Sequence, residues 1–208
     1  MRSQLCQFLT VAALALGGAS VHAQGEVTRL IVPFAPGGAQ DVIGRLLAER
    51  LGSRLGAPVV VENKAGAGGV IAADAVAKAK PDGRTLLLAT GGAITIAPHL
   101  ISKLSYDPRK DFVPIALVAD TPMTLAVRVQ SPYANVADLL KDAKANPGKV
   151  SFASTGNGTI SHLTGELLAQ AAGVQLLHVP YRGAGPAITD LLGGQVAAMV
   201  TSSASIEP

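Results

Sequence analysis

The chain has 208 residues, 49% hydrophobic, 15% charged and 3% aromatic, with a formal net charge of +3 and no tryptophan. Scarce aromatics argue against base-stacking platforms and aromatic sugar sites, and lysines and arginines scattered along the chain argue against a nucleic-acid interface. The single cysteine, Cys6, lies in the N-terminal segment, so the remainder relies on an ordinary apolar core without disulfides.

Residues 1–23 read as an export signal. Arg2 supplies the positive charge, residues 5–19 are mostly apolar, and Val21-His22-Ala23 fits a small-x-small cleavage site. Gln7 and Gly17-Gly18 break the stretch too much for a good spanning helix. The mature chain is expected to begin near Gln24 and to sit in the periplasm.

From there one unit recurs: an apolar strand, a glycine-rich turn and the start of a helix. Leu30-Ile31-Val32 runs into Pro36-Gly37-Gly38-Ala39, Val59-Val60-Val61 into Ala65-Gly66-Ala67-Gly68-Gly69, and Leu86-Leu87-Leu88 into Thr90-Gly91-Gly92. Residues 150–153 run into Ser154-Thr155-Gly156-Asn157-Gly158, and residues 176–179 into Arg182-Gly183-Ala184-Gly185-Pro186. The first turn of a helix carries unpaired N–H donors and partial positive charge. Glycine lets a ligand approach that backbone, and in an open parallel sheet such turns gather at the carboxyl ends of the strands. The pattern specifies an α/β chain that can hold a small anion by its backbone.

Between these turns the spacing predicts helices. Over 41–51 the apolar face is Val42, Ile43, Leu46, Leu47 and Leu51; an alanine-rich helix follows over 70–80. Residues 115–118 read as extended, and a boundary falls near Asp120-Thr121-Pro122, followed by a strand over 123–129. Asn135 caps a helix that stops at Asn146-Pro147-Gly148. Over 160–172 the apolar face is Ile160, Leu163, Leu167, Leu168 and Ala171. Pro186 suits a first helical position, Gly193-Gly194 ends that helix, and a strand covers 196–200.

Motifs for chemistry are weak. Gly156-Asn157-Gly158 and Gly183-Ala184-Gly185 lack the third glycine of a dinucleotide fingerprint, and no Gly-Lys-Ser/Thr follows any loop. No cofactor is expected. Ser154, Ser161 and His162 invite a hydrolase reading, but there is no Gly-x-Ser-x-Gly elbow and no evident oriented base. His99, His162 and His178 show no ligand spacing and no nearby acids, so no metal site is expected. The competing readings are a small-molecule receptor, an exported hydrolase using Ser154, and an interaction module.

Residues 31–41, Ile-Val-Pro-Phe-Ala-Pro-Gly-Gly-Ala-Gln-Asp, resemble the start of Bug-type solute-binding proteins, the TctC-like receptors of tripartite tricarboxylate transporters. The resemblance continues through residues 61–69, 80–83, 106–112, 154–159, His162-Leu163, Glu166, 179–186 and 190–194. It implies a periplasmic-binding-protein-like fold of type II, two lobes closing on a small carboxylate: residues 24–120 as part of lobe one and 121–208 as an incomplete lobe two. By resemblance the ligand contacts are Phe34, Ala35, Gly38, Ala39, Gln40 and Asp41, with Thr90 and Gly91, from lobe one. Lobe two supplies Ser154, Thr155, Gly156, Asn157, Thr159 and, with His162, Tyr181. Gln40 stands where the family often has threonine, and Arg182 where it often has lysine. Membrane transporter subunits or a sensor kinase are the implied partners, with a monomer once complete. Roughly a third of a usual receptor is expected to be missing at the C-terminus, leaving lobe two with an open sheet edge.

Overall fold

A computed structural model describes residues 26–206; the expected export signal lies outside them. Two sheets organise the chain. The first has the order β2-β1-β3, all parallel, from β1 (Thr28–Val32), β2 (Val59–Asn63) and β3 (Thr85–Leu87). Helix α1 (Ala39–Leu55) and helix α2 (Val70–Ala77) supply the crossovers, and a π turn at Gly92–Ile96 leads into the short α3 (Ala97–Leu100). Leu30 and Val32 of β1 pack with Ala48 and Leu88, while Ala73, Ala93 and Tyr106 form a second cluster.

The second sheet has the order β4-β7-β5-β6, from β4 (Met123–Ala126), β5 (Ser151–Ser154), β6 (Leu177–Pro180) and β7 (Ala198–Ser202). Only β4 runs antiparallel to its neighbour; the expected strand over 123–129 pairs just at its first half, along β7. Helices α4 (Val136–Ala145), α5 (Ile160–Ala172) and α6 (Ala184–Leu192) cover this sheet. Asn135 caps α4 as expected, its side chain accepting from Asp138 N–H at 3.0 Å. Pro186 falls third in α6 instead of first, because Gly183, with φ +135°, already turns the chain into the helix. Every residue of β7 is buried, as a strand flanked on both sides requires.

The expected helix faces are corrected by how closely the helices approach the sheets. Helix α1 buries Ala39, Asp41, Gly44 and Ala48, and leaves Val42 and Leu46 more than half exposed. A Cβ on Gly44 would lie 2.8 Å from Val32 Cγ2, so only a small residue fits under that helix. Helix α5 likewise buries Ser161, Gly165 and Ala169, while Leu167 is 64% exposed. Ile43 and Leu47 of the expected α1 face do pack on the core, but close packing of helix on sheet puts small residues nearest the strands and turns Val42, Leu46 and Leu167 outward. The segment 113–118 pairs with no strand among the described residues, and Ile115 and Leu117 are exposed. No helix among the described residues is long and apolar enough to cross a membrane.

Candidate functional site

The glycine turns meet where the two sheets face each other. After β1, the loop at 33–38 is fixed by Asp41. Its carboxylate accepts from Arg45 at 3.0 and 3.1 Å, from Asn63 Nδ2 at 2.9 Å and from Gly37 N–H at 3.3 Å. Asn63 also donates to the Phe34 carbonyl at 2.9 Å. Burial pushes the Asp41 pKa up, but these donors outweigh it and hold the carboxyl below its ordinary value. A depressed folded pKa adds stability above the unfolded value, lost as pH falls through the folded value. We therefore expect urea-unfolding stability to be flat from pH 7 to about pH 5 at this site and to drop below about pH 4. The Asp41→Asn variant will show a shallower acid slope; an equal slope would remove Asp41 from that role.

The second turn is unusual in its backbone. Gly66, Ala67, Gly68 and Gly69 all have positive φ, with Ala67 at +47°. Glycine is required at Gly68, where φ is +63° and a Cβ would lie 2.5 Å from the Asn157 carbonyl oxygen of the other sheet's loop. After β3, a Cβ on Gly91 would press on Ile160 at 2.8 Å, and the Thr90 hydroxyl is buried without a hydrogen-bond partner among the described residues.

On the second sheet, the loop between β5 and α5 is held by its own hydroxyls. Thr159 caps α5, accepting from His162 N–H, and donates to the Gly156 carbonyl at 2.6 Å. Ser161 Oγ accepts from Thr155 N–H at 2.9 Å and contacts both Thr155 Oγ1 and Thr159 Oγ1. Ser154 is fully buried; its Oγ accepts from Gly156 N–H at 3.1 Å and contacts His178 Nε2 at 2.6 Å. A serine–histidine pair thus exists where the sequence shows no base for Ser154, because parallel β5 and β6 bring residues 24 apart side by side. Ser154 has no exposed surface from which to attack a substrate.

His178 lies between two rings: Phe152 at 4.9 Å and His162 at 4.0 Å between centroids. Burial, then the neighbouring His162, lower the His178 pKa to about 4, so its ring is neutral at physiological pH. Glu166 Oε1 sits 3.7 Å from His162 Nε2, one helical turn away. His162, Glu166 and His178 bring possible ligand atoms within 4.8 Å of one another. This corrects the expectation that no acid lies near these histidines; the His-x-x-x-Glu spacing on α5 was the available signal. The stacked imidazoles, 17° from parallel, aim their lone pairs along separate planes, so one ion cannot lie in both. Gly158 N–H also donates to His162 Nδ1 at 3.2 Å, tying the stack to the loop.

Between the sheets is a cleft of about 350 Å³, at the small end of ligand-sized pockets. Phe34, Thr155, Gly156, Asn157 and Tyr181 line it, as does the stretch Ala65–Gly68 with Ile71, Pro180 and Arg182. Of the other residues expected at a ligand, Ala35 donates its N–H to the Arg182 carbonyl across the cleft at 2.8 Å. Gly38 packs on Ala184, and Ala39 N–H donates to Ser205 Oγ at 3.2 Å. Gln40 is half-buried in the first turn of α1; Asp41, Ser154 and Thr159 are buried behind their loops, and Thr90 and Gly91 lie in the turn after β3. Tyr181 donates its hydroxyl to Asp190 at 2.6 Å; burial first, then that carboxylate, push its pKa to about 12. The cleft residues not expected at a ligand from the sequence are Ala65, Gly66, Ala67, Gly68, Ile71, Pro180 and Arg182; the five-residue glycine-rich run at 65–69 was the signal for the first four.

The family model for the tripartite tricarboxylate transporter family receptor matches residues 43–208. Protein BugT of Bordetella pertussis is 42% identical over 179 residues, covering 86% of this chain and 55% of BugT. The solved periplasmic binding protein BugD is 45% identical at a TM-score of 0.81, over 86% of this chain and 59% of that one. An R. palustris protein solved with adipate is 34% identical at a TM-score of 0.84, over 88% of this chain and 62% of that one. The chain therefore spans little more than half the length of such relatives. With the matched region spanning β2, β3 and the whole second sheet, the chain belongs to the TctC family of tripartite tricarboxylate transporter receptors.

Proposed function

We propose that this chain captures a small organic acid in the cleft between its two sheets, as a periplasmic receptor that delivers it to membrane transporter subunits. Residues 26–120 and 121–206 act as the two lobes. The observation that carries the reading is the cleft itself: glycine-rich turns from both sheets face one another across about 350 Å³, and no carboxylate side chain lines it. Backbone N–H groups at the starts of helices attract an anion without a cluster of basic residues. Phe34 and Ile71 cover the carbon chain, while Thr155 and Asn157 offer hydroxyl and amide groups to its oxygens. Gly38, Ala39 and Gln40 stand at the start of α1 behind that lining, where Ala39 N–H is already taken by Ser205 Oγ. The adipate bound to the R. palustris relative supports a carboxylate ligand.

The test is thermal unfolding of the chain without its first 23 residues, against a panel of mono- and dicarboxylates. A ligand that binds only the folded chain raises the midpoint; at a hundred times Kd it adds about 2.7 kcal/mol. A selective rise of several degrees with one acid is expected. A cooperative melt that no acid moves at millimolar concentration overturns the carboxylate reading.

A further inference from the structure

We propose that Arg182 pairs directly with the bound ligand and makes the cleft prefer a dianion over a monoanion of similar size. This rests on the receptor reading above and adds to it a residue that sets specificity. Among the residues lining the cleft, Arg182 alone carries a formal charge at neutral pH, since the Tyr181 phenol is protonated and held by Asp190. Its guanidinium makes no hydrogen bond or ion pair among the described residues. Arg29, Arg45 and Arg84, by contrast, pair with Glu62, Asp41 and Glu26.

The backbone that carries Arg182 is anchored. Tyr181 N–H donates to the Ser154 carbonyl at 3.0 Å, and the Arg182 carbonyl accepts from Ala35 N–H at 2.8 Å. The second bond crosses between the sheets, so closure fixes the root of the side chain at the mouth of the cleft. The positive-φ turn at 66–68 and Asn157 can hold one carboxylate by N–H groups, since those of Thr155, Gly156 and Gly158 are taken within their own loop. A second carboxylate on the same molecule then meets a planar, always charged fork, whose geometry suits bidentate pairing. A monoacid leaves that fork in water, where it costs nothing.

Titration calorimetry of the chain and of Arg182→Gln, with adipate and with hexanoate as probes, separates the possibilities. Arg182→Gln is expected to lose about tenfold to a hundredfold in adipate affinity, the worth of a charge-assisted pair. It should keep hexanoate affinity within about threefold, and Arg182→Lys should recover part of the loss. Equal affinities for adipate in the parent and Arg182→Gln, or equal losses for both probes, would overturn the assignment while leaving the receptor reading intact. A parent chain that binds neither acid would overturn both. Arg182 is exposed, so a matching melting curve for Arg182→Gln will confirm that folding is unaffected.

Discussion

Substituting alanine for Gly185 will weaken ligand binding about fivefold to a hundredfold without any change to a ligand contact. Gly185 is second in α6 and has no unusual φ, so alanine suits the backbone there and on helix propensity alone would help by about 0.5–1 kcal/mol. Its new Cβ, however, would lie 2.3 Å from the Pro36 carbonyl oxygen and 3.5 Å from Gly37 Cα. Both atoms belong to backbone of the other sheet's loop, which no rotamer change can move. The cheapest relief is to part the two sheets at this point. Forcing a methyl group into packed structure costs about 1–3 kcal/mol, and on the receptor reading proposed above the cost falls on the closed state alone. A receptor whose binding-competent state is depopulated loses affinity in proportion. Titration calorimetry reads the affinity, and small-angle scattering reads closure as a decrease in radius of gyration on adding ligand. Parent-like affinity with a parent-like decrease would show that the sheets do not meet this closely when ligand is bound.

A second alanine, at Gly165, will cost about 1–3 kcal/mol of folding stability, against the usual sign for a glycine in mid-helix. Alanine at such a position ordinarily gains up to about 1 kcal/mol. Here the added Cβ would stand 2.2 Å from Phe152 Cε2 and 2.6 Å from Cζ. The ring has nowhere to go: Phe152 is 1% exposed, and His178 stacks on it. Steric cost therefore exceeds propensity. Urea unfolding should show a lower midpoint at unchanged slope. In Phe152→Leu the ring edge is gone, so Gly165→Ala made there should destabilise less than in the parent, the sign of two residues in contact. Additive losses would place the strain elsewhere.

The two variants separate what holds each sheet together from what brings the sheets together. Phe152, Leu139 and Val150 are core of the second sheet, and Gly165 lets α5 settle on that core. Gly185, Gly183 and Gly38 contact across the gap, where absent side chains let one loop backbone reach another. The same residue type therefore serves packing within one sheet's core in one place and close approach of the two sheets in another.

Much of this was legible in the residues. Repeated strand–glycine–helix units specified parallel α/β sheets, because apolar triplets without alternation suit strands buried on both faces. Asn135, Asn146-Pro147-Gly148 and Gly193-Gly194 marked helix ends through capping chemistry, and the observed α5 runs over the predicted residues 160–172. Phe34, Thr155, Gly156 and Asn157 were named from local loop chemistry and Tyr181 from the family resemblance, and all line the cleft.

Tertiary structure decided the rest, since those features depend on distances that no local pattern carries. Which face of α1 and α5 is inner followed from how near the helices lie to the sheets, which favoured Gly44 and Gly165 over neighbouring leucines. The pairing of Ser154 with His178, and the stack of His178 on His162, arose from the register of β5 with β6 and the seat of α5 above them. The separation of Arg182, which lines the cleft, from Asp41, which turns inward to hold its own loop, required both sheets in place. Sequence sets which backbone can bend and which side chains carry charge; packing between remote segments sets which of those groups a ligand can reach.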